Sequence, residues 1–320
     1  GIGAEFSKKK LDDLFEKNKE KVLMFEESIS TGMKDFTETV TKQLKEKFKE
    51  IKNINDLESF SFDLTELKEK MIIAYLKGYI DELENPLMEF SSDEKDPFNL
   101  PFSKAINWFI KKFPILYDHL DDVTKKVNET FFYIKRSLEL ETTRTLYNNL
   151  LDNLSNGGTL KDWLEASKTI LDKTGLGDSP WYLELVYRNN MQSSYNAGAF
   201  YNQELNKKNK PYGLYDAIDD ERTSEICQIL NGKVYPLDDP FWNRYLPPNH
   251  HGCRSKRITL SREELEEYGL TVSKNVTKEI KELKNKMGNF YGTQVSGIKK
   301  AIKQKEKEIE EMKNQLKLKI

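Results

Sequence analysis

Along the first fifty residues, apolar side chains recur three, four or seven positions apart among lysines and glutamates: Leu11, Leu14, Phe15, Val22 and Phe25, then Val40, Leu44, Phe48 and Ile51. That spacing lines one stripe of a helix, so residues 8–54 read as amphipathic helices. A further helix is predicted over residues 64–83, with Leu67, Met71, Ala74, Tyr75 and Tyr79 along one side. Pro86 and the polar run 91–97 interrupt the pattern, and Pro101 and Pro114 bracket a short aromatic segment containing Trp108 and Phe109. Another long helix is predicted over 121–154. Asn156-Gly157-Gly158 then marks the strongest boundary in the chain, and Thr159 with Asp162 three positions on reads as the start of a helix over 160–173. Gly175 and Gly177 close that helix. Ser179-Pro180 opens the next one, Trp181 to about Leu205, proline suiting a first helical turn.

Beyond Lys210 the period changes. Residues 212–218, 233–237 and 254–260 are short runs of β-branched or aromatic residues alternating with polar ones, joined by turns rich in Asn, Gly, Asp and Pro. They predict a small antiparallel sheet packed on helices. After Thr271 helix returns, and Val295, Ile298, Ile302, Lys305, Ile309, Met312 and Leu316 form a heptad seam interrupted by one lysine. Such a seam fits either a helix docked on its own chain or a coiled coil with a second copy. The fold class expected is α+β and predominantly α-helical. A helical N-terminal region (7–158) is followed by a compact α+β domain (159–272) and a basic helical tail (273–320); residues 1–6 read as an expression scar.

Composition supports helices over strands: charged residues make up 32% of the 320 positions, and glycine and proline number only 16 and 10. The net charge of −2 is unevenly spread, since residues 273–320 hold thirteen lysines against six glutamates, so the tail carries +7 and the rest −9. Two cysteines argue against a disulfide framework, and no apolar run has the length of a signal peptide core or a membrane span. The expected setting is the cytoplasm, without membrane contact.

Both cysteines and two of the three histidines fall within residues 220–254. Zinc takes four tetrahedral ligands from thiolate, imidazole and carboxylate; Cys227, His250 and Cys253 supply three, with Asp220 as the best fourth and His251 in reserve. A metal here would tie Cys227 to the Pro247-Pro248 loop and serve as folding energy. The competing reading is architectural: Cys227 as a small buried hydrophobe, Asp220 and Arg222 as a local ion pair, Thr223 and Ser224 as caps of a helix over 225–230, and Gly232 as its end. A hydrolytic site would need the three ligands plus water, with Glu221 or His251 as base. No phosphate-binding glycine loop or nucleophile triad stands out, so no catalytic residue is assigned. His119, in a helical context, reads as structural or exposed.

The order Asp220-x-Arg222-Thr223-Ser224-x-x-Cys227, then Gly232-Lys233, then Pro247-Pro248-x-His250-x-x-Cys253-Arg254 resembles the signature of the phage Mu F-like minor head proteins. Arg188 lies on a helix similar to the family's Arg-bearing helix, so the resemblance covers about residues 188–260. It departs at Ser224 and Glu225, where many relatives carry arginine or proline. The resemblance implies a low-copy virion component, made in the host cytoplasm and carried in the head, that associates with the portal protein and other head proteins and acts in head assembly and DNA packaging or ejection. Two other functions remain open, a zinc-dependent nuclease or a module that binds DNA through the lysine-rich tail without sequence preference. The heptad seam adds self-association as a further expectation.

Overall fold

The computed structural model describes residues 2–58, 60–83, 96–165, 181–287, 290 and 295–319. The breaks expected at Pro86 and 91–95, the residues 166–173, the glycines at 175 and 177 and the Ser179-Pro180 start lie outside the described residues. The helices are α1 (Ile2–Glu50), α2 (Thr65–Asp81), α3 (Phe102–Lys112), α4 (Leu116–Ser155), α5 (Leu160–Glu165), α6 (Trp181–Leu205), α7 (Glu225–Leu230), α8 (Phe241–Tyr245), α9 (Arg262–Glu267), α10 (Lys278–Lys286) and α11 (Val295–Lys317). The strands are β1 (Tyr212–Asp216), β2 (Val234–Pro236) and β3 (Lys256–Leu260). The fold is α+β and predominantly α-helical, and no helix among the described residues is long and apolar enough to cross a membrane.

One expectation is corrected at the start of the chain. The N-terminal stretch is a single helix, α1, which also takes in residues 2–6. Ile29, Met33 and Phe36 carry the apolar stripe through the interval between Phe25 and Val40, with Ile29 and Phe36 buried, and no proline interrupts it. Gly32 sits mid-helix because a Cβ there would lie 2.1 Å from the Tyr187 hydroxyl.

By contact the chain divides into two compact units, residues 1–31, 70–120 and 188–293, and residues 32–69, 121–187 and 294–320. Each therefore draws on the N-terminal, central and C-terminal stretches.

In the second unit, α11 lays its seam on its own chain. Ile298, Ile302, Ile309 and Leu316 are buried, and Lys305, the polar member of the seam, reaches Glu141 at 3.2 Å and the Ser137 hydroxyl at 3.0 Å on α4. Arg144 of α4 pairs with Glu308 at 3.0 Å. The Thr159–Asp162 start of α5 is a reciprocal cap, the Thr159 amide donating to Asp162 at 2.7 Å and the Asp162 amide to Thr159 Oγ1 at 3.1 Å.

The first unit is built around the sheet, antiparallel in the order β2-β1-β3, with Tyr212 opposite both Pro236 and Leu260. Strand alternation sends Leu214, Val234 and Leu260 to one face, where Leu11, Leu14 and Phe15 of α1 pack, and Tyr215 and Tyr235 to the other, with Ile226, Cys227, Phe241, Trp242 and Cys253. Gly213 is required where it stands: a Cβ would meet the Trp242 ring at 2.6 Å.

Helix α6 covers the edge of β3 with amide side chains, Asn196 donating to the Ser255 carbonyl at 3.5 Å and Gln203 to the Arg257 carbonyl at 2.8 Å. At the other edge Ser273 brackets β2, its amide donating to the Val234 carbonyl at 2.8 Å and its hydroxyl accepting from the Val234 amide at 2.9 Å. Helices α2 and α6 touch backbone to backbone, since a Cβ on Gly198 would come within 1.9 Å of the Tyr75 carbonyl and one on Gly78 within 1.8 Å of that of Tyr195. His119 is a packing residue, ringed by Tyr79 and Tyr201 at 5.7 and 5.9 Å.

Candidate metal centre

Helix α7 begins where the loop after β1 ends, and its first turn presents Cys227 inward. The turn that follows, ended by Gly232 at φ +77°, returns the chain to β2, the Gly232 amide donating to the Tyr215 carbonyl and the Tyr215 amide to that of Lys233, both at 2.8 Å. Gly232 and Lys233 thus act through their backbone. After α8 the chain passes through a cis peptide at Pro247-Pro248 and delivers His250 and Cys253 to the same place. Asn249 anchors that loop: its side-chain amide donates to the Tyr215 hydroxyl and the Tyr245 carbonyl, each at 2.8 Å, and Lys284 donates to its carbonyl oxygens at 2.7 and 2.8 Å.

Cys227, His250 and Cys253 converge with all ligand atoms within 4.8 Å of one another. The two Sγ atoms are 3.9 Å apart, and His250 Nε2 is 3.3 Å from Cys227 Sγ. Zinc bonds of about 2.3 Å to sulfur and about 2.0 Å to nitrogen give tetrahedral edges of roughly 3.8 and 3.5 Å, close to the two edges that meet at Cys227. Nδ1 of His250 lies 2.9 Å from the His251 carbonyl, an acceptor only, so Nδ1 carries a proton and Nε2 is the nitrogen that faces the cysteines. A hydrogen bond from Cys253 holds Cys227 down to about 3 against the opposing effect of burial, and the same bond, together with burial, pushes Cys253 well up. For His250, burial acts downward but the Cys227 contact outweighs it and raises the ring.

The expected fourth ligand is not delivered. Asp220 is gripped at both oxygens by Arg254, at 2.5 and 2.9 Å, which holds its carboxyl below the usual carboxylate range. That bidentate pair also replaces the expected Asp220–Arg222 ion pair, for Arg222 gives Asp220 only its backbone amide, at 2.9 Å. Its guanidinium goes to Glu26 at 3.4 Å, as does that of Arg188 at 3.8 Å. Thr223 donates to the Ile218 carbonyl and to Asp220, closing the loop.

Ser224 stands at the N-cap position of α7 but makes no side-chain cap; its Oγ instead lies 2.8 Å from His250 Nε2. It therefore occupies the open corner beside the three ligands. A cavity of about 10 Å³, room for roughly one water, adjoins it, lined by Thr223, Ser224, Cys227 and His250 together with Arg222 and Arg254. Glu221 is exposed, outside the ligand group, and His251 pairs with Asn189 Nδ2 at 2.7 Å and packs edge-on against Phe290. Tyr215, Asn249, Lys284, Asn189 and Glu26 went unread in the sequence. Of these only Asn249, inside the Pro-Pro loop, and Asn189, beside Arg188, carried a signal of position.

Residues 144–258 match the family described as Phage Mu protein F like protein, a span that starts well before Arg188. The Mu-like prophage FluMu F protein of Haemophilus influenzae is 35% identical over 111 residues, which is 35% of this chain and 27% of that protein. Protein F of Escherichia phage Mu, a capsid assembly protein by its name, is 38% identical over 96 residues, 30% of this chain and 22% of that protein. The aligned part thus spans about a quarter of the length of these curated relatives. No solved structure matches the chain. Residues 144–258 of this chain are thus similar to the phage Mu protein F like family.

Proposed function

We propose that the chain is a minor head protein of a tailed phage or prophage, made in the host cytoplasm and carried in the virion head. It associates there with the portal vertex and other head proteins during head assembly and DNA packaging. The observation that carries this reading is that the signature residues, dispersed from Arg188 to Arg254, gather around one small site inside the segment similar to a prophage F protein and a capsid assembly protein. The site works as a clasp rather than a catalyst, because neither candidate base stands at the ligand group. Zinc is the metal the donor set fits: both thiolates and His250 would hold it, and when bound it supplies the folding energy that ties α7 to the Pro-Pro loop. The basic tail adds a nonspecific attraction for packaged DNA.

Co-expression with the portal and major capsid proteins of the same phage, followed by pull-down, tests the head assignment; failure to retain either protein refutes it. Protein purified without chelator should hold about one zinc per chain, and Cys253→Ser should lower both zinc content and melting temperature. Metal-free protein of unchanged stability removes the clasp and leaves the head assignment standing.

A further inference from the structure

Three signature residues that are not metal ligands aim at one carboxylate. Arg188 of α6, Arg222 of the loop after β1 and Arg254 just before β3 face Glu26 of α1 at 3.8, 3.4 and 4.0 Å. Charge-assisted pairs close to about 2.7–2.9 Å, the distance at which Arg254 holds Asp220, so Glu26 is a loose occupant. The misfit is geometric: the Arg254 fork is closed on Asp220, and Glu26 meets Arg188 and Arg222 only at 3.8 and 3.4 Å, without a bidentate fit to either. Three guanidiniums against two carboxylates also leave one positive charge over. A tetrahedral oxyanion would answer both deficits, offering up to four acceptor oxygens, and guanidinium forks match phosphate in shape. The cluster is buried at one end and open to solvent at the other, with the Arg254 side chain 6% and Glu26 17% exposed against 39% for Arg188 and 56% for Arg222. The adjoining cavity, walled by Arg222 and Arg254, adds the hydroxyl-bearing Thr223 and Ser224 to its lining.

We propose that Arg188, Arg222 and Arg254 form a phosphate-binding site in which Glu26 acts as an internal stand-in. The ligand is a phosphate group, either free or carried by a nucleic acid. External phosphate and the α1 carboxylate compete for the same arginines, so the strength of binding is set by how readily Glu26 yields. None of the three arginines is a metal ligand.

Calorimetric titration of the full chain with inorganic phosphate, at constant ionic strength, compares the wild type with Glu26→Gln, which keeps the volume and removes the competing charge. Glu26→Gln is expected to bind phosphate at least tenfold more tightly, and adding Arg222→Gln, at a side chain 56% exposed, should abolish the gain. Oligodeoxynucleotides of one sequence with and without a 5′-phosphate identify the source: preference for the phosphorylated end marks a terminal phosphate, equal binding marks the backbone, and binding of inorganic phosphate alone marks the free ion. Equal affinity in wild type and Glu26→Gln, or binding that Arg222→Gln leaves unchanged, overturns the proposal. Should Glu26→Gln not fold, phosphorus-31 line broadening on the wild type decides, since Arg222→Gln must then reduce it.

Discussion

Replacing Asp216 with asparagine tests the electrostatics of the sheet. Asp216 ends β1 opposite Lys256 of β3 and is 7% exposed. Burial raises its carboxyl from 3.8 to about 7, although the Lys256 charge pulls the other way. Between these two values the folded chain binds a proton that the unfolded chain releases, so stability is full below the unfolded value and is lost as pH rises toward 7. A rise of about three units corresponds to a loss of roughly 4 kcal/mol across that window. The asparagine side chain cannot ionise and should escape that loss, while the other titrating groups are common to both proteins. Urea unfolding of the full chain at about pH 5, 6, 7 and 8, followed by circular dichroism, should show Asp216→Asn gaining roughly 2.5 kcal/mol relative to wild type between the ends of the series, the rest of the loss falling below pH 5. Parallel stability curves would refute the reasoning, because Asp216 would then ionise in the folded protein as it does in the unfolded one.

Ser224→Cys should place a third thiolate at the open corner, giving the Cys₃His set of a structural zinc site; zinc affinity should rise at least tenfold, about 1.4 kcal/mol, and unchanged affinity in a metal competition assay would remove Ser224 from that corner. Gly198→Ala forces α2 and α6 apart at a contact with no side chain to yield, and should cost about 2–3 kcal/mol or more in thermal unfolding, whereas Gly3→Ala, with nothing within 4 Å of the new Cβ, should not destabilise. Ile302→Asp buries a charge against α4 and should lower the melting temperature equally at all protein concentrations; sedimentation showing loss of a dimer instead would assign the seam to a second copy.

Much of the skeleton was legible because it rests on local chemistry. Helix α6 spans the residues its pattern predicted, and each expected strand contains the observed one, since turn residues and a period of two mark short strands regardless of what packs on them. Cys227, His250 and Cys253 were legible from spacing and rarity alone. Asp220 misled because nearness in sequence made Arg222 its natural partner, whereas Arg254, 34 residues on, reaches it with a bidentate fork. Glu26 could not be read at all: in a helix crowded with lysine and glutamate, nothing local separates the carboxylate that meets three arginines from those that meet water. The lysine in the heptad seam was equally opaque until Glu141 supplied its partner.

The two edges of the small sheet bear on how this domain can meet anything else. With the Ser255 and Arg257 carbonyls taken by α6, and Val234 engaged at both its amide and its carbonyl by Ser273, an incoming strand finds these ladder positions already filled. Strand addition, by which a peptide is recognised largely through its backbone, is thereby blocked at these positions. Recognition must pass through side chains, and a surface read that way can drift one substitution at a time as its neighbours change.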